Sequence, residues 1–173
     1  MTKRIIVAGI VGGVVLFVWG WIAWLLLPLH NRTIKTPQNA DALVETLRQS
    51  ITESGFYFFP HHEGTEQAEP PYLVVHRAPI PAMGKLMAQG FLFGIVSALM
   101  AAWLLSKTSL ASYGARLQFV TMLGLFASFV VDLPNWNWWG FPTDYTVANI
   151  ADHVVGWMLA GLALAAIVKE PPR

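Results

Sequence analysis

The chain has 173 residues, of which 55% are hydrophobic and 12% charged, and its mean hydropathy is +0.50. Soluble domains carry roughly 25% charged residues, so this surplus of apolar surface calls for a lipid environment. A net charge of +1 argues against nucleic acid as a partner, which would call for a concentrated basic face, and the absence of cysteine excludes disulfides, thiolate metal sites, iron–sulfur clusters and a thiol nucleophile.

Ile5 to Leu27 follows Lys3 and Arg4 as an apolar run of 23 residues. That exceeds the roughly 20 residues a helix needs to cross a bilayer, and predicts a first span over 5–27. A cleaved leader is the rival reading, but its apolar core would be shorter, about 7–15 residues, and would end in small residues rather than Trp-Leu-Leu-Leu-Pro. Gly9, Gly13 and Gly20 fall on one helical side, a pattern that allows close helix approach in membranes.

Residues 28–85 differ in character, with seven of the eleven prolines and six of the ten acidic residues. They read as a water-exposed, extracytoplasmic α+β insert. Leu43, Val44, Leu47 and Ile51 at helical spacing predict an amphipathic helix over 41–54, which Gly55 would stop. Phe56 to Phe59 and Tyr72 to His76 are β-prone and predict a hairpin over 56–76. One helix and one hairpin bury little core, so Phe56 and Tyr57 are candidates for contact with a membrane surface or a partner. His61, His62, Glu63 and Glu66 form a polar cluster in the intervening loop, with His76 expected opposite, but their spacing fits no structural zinc site.

The second span is predicted over 86–105, with Gly90, Gly94, Ser97 and Ala101 as its packing side. A turn containing Lys107 leads to a third span over 110–132, whose side Leu117, Thr121, Gly124, Ser128, Asp132 ends in a carboxylate. Pro134 is expected to stop that helix. A tryptophan-rich outer loop over 133–145 then precedes a fourth span over 146–168, with Thr143 or Asp144 as N-cap and Asn149, Asp152, Gly156, Ala160 and Ala163 along one side. The expected fold is therefore an all-α membrane protein, a bundle of four transmembrane helices with a small α+β insert between helices one and two. Lys3, Arg4, Lys107, Arg116, Lys169 and Arg173 share one side of the membrane in this scheme. The positive-inside rule then puts both termini in the cytoplasm of a bacterial inner membrane, with the insert and tryptophan loop outside.

Two constellations stand out. Asp132 and Asp152 are expected to approach each other near the outer ends of helices three and four, with His153 and His30 at similar height. Ionisable groups in spans are costly, so they face inward and find partners. Carboxylate and imidazole suit zinc, manganese or iron, and a haem between His30 and His153, a quinone, a lipid headgroup or a proton relay are further uses. The structural alternative has Asp152 and His153 stabilising the first turns of helix four, Asp132 meeting Arg77 or Lys85, and His30 lying among headgroups. The second constellation, Trp136, Trp138, Trp139 and Phe141, reads either as an interfacial anchor or as a docking surface.

Catalytic triads, phosphate loops and HExxH are absent from the sequence, so no enzyme is indicated. The leading expectation is a non-enzymatic accessory or assembly subunit, in contact with the lipid bilayer and with membrane-protein partner subunits or further copies of itself. The alternative is a metal, haem, quinone or lipid site at the Asp/His cluster, or an oligomeric ion or proton pathway. Gly9, Gly13, Gly90, Gly94, Gly124 and Gly156 are the expected helix-packing glycines.

Overall fold

The computed structural model describes residues 2–59 and 72–169, so the expected His61, His62, Glu63 and Glu66 cluster lies outside the described residues. The protein is mostly helical, and four of its helices are long and apolar enough to cross a membrane. Two compact units are present, one from residues 1–34 and 83–173 and the other from residues 35–82.

In the helical unit, α1 (Thr2–Trp21) continues into a π-helical turn over Ile22–Leu26. Leu27, the residue before Pro28, is extended, as the clash with the proline ring requires, and the helix stops there. Next come α3 (Met83–Leu105), α4 (Tyr113–Trp139) and α5 (Thr143–Ile167). Helix α1 packs on α3 and on α5, and α4 packs on α5. The core nearest the chain termini is built largely from small residues, with Ala8, Ala101 and Ala102 around Leu105, Val120 and Leu164. Large apolar side chains such as Phe93, Met100 and Phe126 point outward, as lipid contact requires.

Glycine makes the close approaches possible. A Cβ on Gly13 would stand 2.6 Å from the Ile95 Cα, and one on Gly9 would stand 2.9 Å from the Leu99 Cα, so both let α1 rest on the α3 backbone. Gly94 faces the Gly13 carbonyl across the same contact, whereas Gly90 has no neighbour within 4 Å of where its Cβ would be and takes no part in packing. Gly124 accommodates Trp157, and Gly156 accommodates Trp19.

Three expectations are corrected. Pro134 does not stop its helix: α4 runs on to Trp139, so 133–139 is helix rather than loop. Proline fits helical φ, and although it removes one backbone donor and its ring crowds the carbonyl four residues earlier, helices inside a membrane tolerate it. The true stop is Gly140 in the left-handed conformation (φ 69°), where the Asn135 carbonyl accepts from the Gly140 and Phe141 N–H groups. Helix α5 starts at Thr143, not 146, with Pro142 at the cap position and no side-chain cap; the Asp144 carboxylate accepts from the Tyr145 N–H instead. Arg116, counted above as a flank charge, is buried, and its guanidinium donates to the carbonyls of Leu110, Ala111 and Ala165. It ties the α3–α4 connection to the last turns of α5.

The smaller unit contains α2 (Ala40–Ser50) and an antiparallel hairpin of β1 (Gly55–Phe59) and β2 (Tyr72–His76), paired Gly55 with His76 through Phe59 with Tyr72. Ser54 Oγ accepts from the Ala78 N–H and donates to the Ala78 carbonyl, closing the hairpin base. Among the described residues of this unit, Ile51 alone is buried.

Gly13→Leu is expected to loosen the α1–α3 contact by about 1–3 kcal/mol or more, the scale of overpacking. Gly90→Ala should leave stability unchanged or slightly raise it, since the new methyl meets nothing and helix propensity improves. Unfolding of both variants in mixed micelles checks the contrast.

Candidate functional site

The polar groups within the helical unit form two imidazole–carboxylate pairs on adjacent residues of α5. The first is built around Asp152. Trp19, on α1, donates its indole N–H to Asp152 Oδ1 at 2.6 Å and, shared, to the Asp152 carbonyl at 3.1 Å. The indole can lie across α5 because Gly156, one turn on, offers no side chain: a Cβ there would stand 2.8 Å from Trp19 Cδ1. The other carboxylate oxygen, Oδ2, is 3.0 Å from His30 Nε2.

His30 reaches this point from outside any helix. After Pro28 the chain folds into a tight turn in which the His30 carbonyl accepts from Thr33 N–H, Ile34 N–H and the Thr33 hydroxyl. That turn carries the imidazole inward until it is 0% exposed. Its ring lies flat on Trp24, with centroids 4.0 Å apart and planes 5° from parallel. The π-helical turn that contains Trp24 widens the end of α1 just before the chain doubles back. With Asp152 ionised, Nε2–H donates to the carboxylate. His30 Nδ1 then remains buried with no partner among the described residues.

The second pair joins α4 to α5. His153 Nδ1 is 3.0 Å from Asp132 Oδ2 and 3.1 Å from Ser128 Oγ. Asp132 and Ser128 are buried, whereas the His153 side chain is 47% exposed. Serine, histidine and aspartate therefore meet, but not as a nucleophilic triad. In such a triad the carboxylate takes Nδ1 and the serine takes Nε2, so that the ring can carry a proton between them. Here both partners crowd Nδ1, and Ser128 has no base at its hydroxyl apart from the nitrogen already fixed by Asp132.

The four residues singled out in the sequence are thus arranged two by two, Asp152 with His30 and Asp132 with His153. Among the described residues, no group of three histidine, cysteine, aspartate or glutamate side chains is placed to hold a metal ion. Nor does His30 fit a haem axial ligand, because it is enclosed and stacked flat on an indole rather than presented end-on to an open face. Asp132 meets His153 rather than Arg77 or Lys85, and His30 is inside the bundle rather than among headgroups. The midpoint of Thr143–Ile167 is residue 155, so Asp152 and His153 sit within three residues of the middle of α5.

Sequence reasoning missed Trp19, Trp24 and the role of Ser128. A signal for Trp19 exists: Gly12, Leu16 and Trp19 recur at i, i+4 and i+7, and all three meet α5, at Leu164 or Gly156. Ser128 shares the side of Asp132 one turn away, where a hydroxyl can help hold the same partner. Nothing in the sequence announces the stacking of Trp24 on His30, since it depends on the π turn and the reversal after Pro28.

At the tryptophan-rich end, Trp136 donates its indole N–H to Thr143 Oγ1 at 3.0 Å, and Phe141 meets Tyr145 edge to face at 5.8 Å. Trp138 stands 76% exposed on the last turn of α4. No protein-family model matches the chain, and neither a curated protein nor a solved structure does.

His30→Leu is expected to cost about 1.5–3 kcal/mol of unfolding free energy, the scale of a hydrogen bond to a charged group. Removing both charges and donors in His30→Leu/Asp152→Leu should cost less than the sum of the two single changes, because the partners share one interaction. A double-mutant cycle measured by unfolding in micelles reads the coupling, and strict additivity would show that the pair does not interact.

Proposed function

We propose that this protein is a non-enzymatic accessory or assembly subunit of a larger membrane complex in a bacterial cytoplasmic membrane, with both termini in the cytoplasm. The observation that carries this reading is the exposed side of the hairpin. The register pairs Phe56 with Val75 and Phe58 with Leu73, so these four side chains share one side of the sheet. On that side Val75 is 70% exposed and Phe56 54%. The other side holds Tyr57 and Val74, both partly buried, and the Tyr57 hydroxyl donates to the Glu53 carbonyl. Val75 is therefore available for docking, and Tyr57 serves the unit itself.

A two-stranded sheet is marginal alone in water, and a row of large apolar side chains on one side of it calls for a covering surface. The end of α4 supplies a second surface of the same kind. Trp136, Trp138 and Trp139 ride on a helix closed by Gly140, and aromatic residues on a rigid support suit binding hot spots. The polar side chains of the spans favour the same reading, because Asp132, Asp152, His30, Ser128 and Arg116 are engaged in holding helices and turns together. Basic residues concentrated at the ends of the spans nearest the termini support the orientation.

The full-length tagged chain, extracted from native membranes in mild detergent, is expected to bring down a stoichiometric membrane-protein partner. Val75→Lys, which puts a charge on the exposed side of the sheet, should reduce that recovery about tenfold or more, the scale of losing one hot-spot contact. Trp138→Ser should act in the same direction, and the helical content of both variants should be unchanged. A chain that purifies strictly alone, or a partner retained in full by both variants, would contradict the proposal.

A further inference from the structure

His153 is a polar ring at the wrong place for a lipid-facing surface. It lies within two residues of the midpoint of α5, about 15 Å along the helix from Thr143 at 1.5 Å per residue. In a hydrocarbon core about 30 Å thick that is the depth of the acyl chains, not of the headgroups. Asp132 and Ser128 hold Nδ1 against the bundle. The side chain is 47% exposed, and Nε2 lies on the ring edge away from Nδ1. With Nδ1–H donated to the Asp132 carboxylate, Nε2 is a bare acceptor turned away from the helices.

Asn149 lies one turn above on the same side of α5, about 6 Å along the axis. Its partly buried side-chain amide makes no hydrogen bond among the described residues. Trp157 lies one turn below, seated over Gly124. Amide, imidazole and indole thus follow one another down the seam between α4 and α5. An unsatisfied acceptor and an unsatisfied amide in hydrocarbon cost several kcal/mol unless something dissolved in the bilayer meets them.

We infer that this seam is a lateral binding site for a neutral, membrane-soluble hydroquinone, entered from the acyl-chain region. One ring hydroxyl donates to His153 Nε2, an oxygen substituent accepts from the Asn149 amide, and Trp157 supplies apolar surface below. Depth excludes a phospholipid headgroup. A second copy of the chain fits poorly, because a two-fold axis along the membrane normal would bring acceptor against acceptor at the same height. Asp132 and Ser128 are positioning residues: they fix the tautomer and the direction of the ring, as carboxylates do for histidines that must present one nitrogen. The site binds; no electron transfer is assigned to it.

The test uses the full chain in lipid nanodiscs and a radiolabelled decyl-substituted hydroquinone, compared with empty nanodiscs. Saturable binding near one per chain is expected. Asn149→Leu leaves the Asp132–His153 bond in place and should weaken binding about tenfold, the loss of one hydrogen bond. His153→Phe should weaken it at least as much, and the dimethyl ether of the same ring, which has no hydroxyl to donate, should fail to compete. Uptake equal to that of empty nanodiscs, undiminished binding in Asn149→Leu, full competition by the dimethyl ether, or cross-linking of position 153 to another polypeptide in native membranes would each overturn the inference.

Discussion

One carboxylate inside the apolar bundle organises this protein. A charge at mid-bilayer costs about 2.5–3.5 kcal/mol on insertion scales, and the cost is met by donors that the rest of the fold has to deliver. Asp152 receives one donor from each side: the Trp19 indole comes from within α1, and the His30 imidazole from the turn that follows it. Several features of α1, of the turn after it and of α5 have their purpose here. Gly156 clears a path for the indole, the π turn and Pro28 end α1, and three hydrogen bonds to the His30 carbonyl hold the reversal that places the ring. Contacts between helices in lipid have no hydrophobic drive of their own, so close packing and interhelical hydrogen bonds must hold them together. The α1–α5 contact has both.

The same division recurs along the bundle. At the end nearest the termini, Arg116 fastens α5 to the α3–α4 connection by donating to three carbonyls. Near mid-height, Asp132 and Ser128 fasten α4 to His153. At the opposite end, Trp136 bonds Thr143 across the tight α4–α5 turn. Between these ties the surfaces are small: Gly9 and Gly13 lie on α3, and Gly161 lies against Val120. Helices that touch at glycine and alanine leave their large side chains for the lipid. The polar ties then fix which rotation of each helix is correct, a distinction that uniform apolar surfaces cannot make.

Much of this was legible in the sequence, and the parts that were not have physical reasons. Four spans, the amphipathic helix and the hairpin follow from length and period, because a bilayer tolerates little else than a long apolar helix and because strand alternation sets which residues share a side. Inward placement of Asp132 and Asp152 follows from the cost of charge in lipid. Their choice of partner does not. Proximity in height suggested that the two acids meet, whereas each instead takes an imidazole from another element of the bundle. Pro134 misled for a related reason: the rule that proline ends helices is a rule of water, where other backbone partners are at hand, and in a membrane the helix runs on until glycine at 140 supplies a left-handed stop. Gly90 reads like Gly94 in the sequence, yet only one of them meets α1, since helices cross and part.

The central claim is that the Asp152 carboxylate joins Trp19 to His30 inside the bilayer. Solid-state NMR of the full chain in lipid, with labelled tryptophan, histidine and aspartate, tests it most directly. A through-space correlation from the Asp152 carboxyl carbon to both the Trp19 indole N–H and the His30 Nε2 is the predicted result. An Asp152 carboxyl that correlates with neither nitrogen would contradict the account.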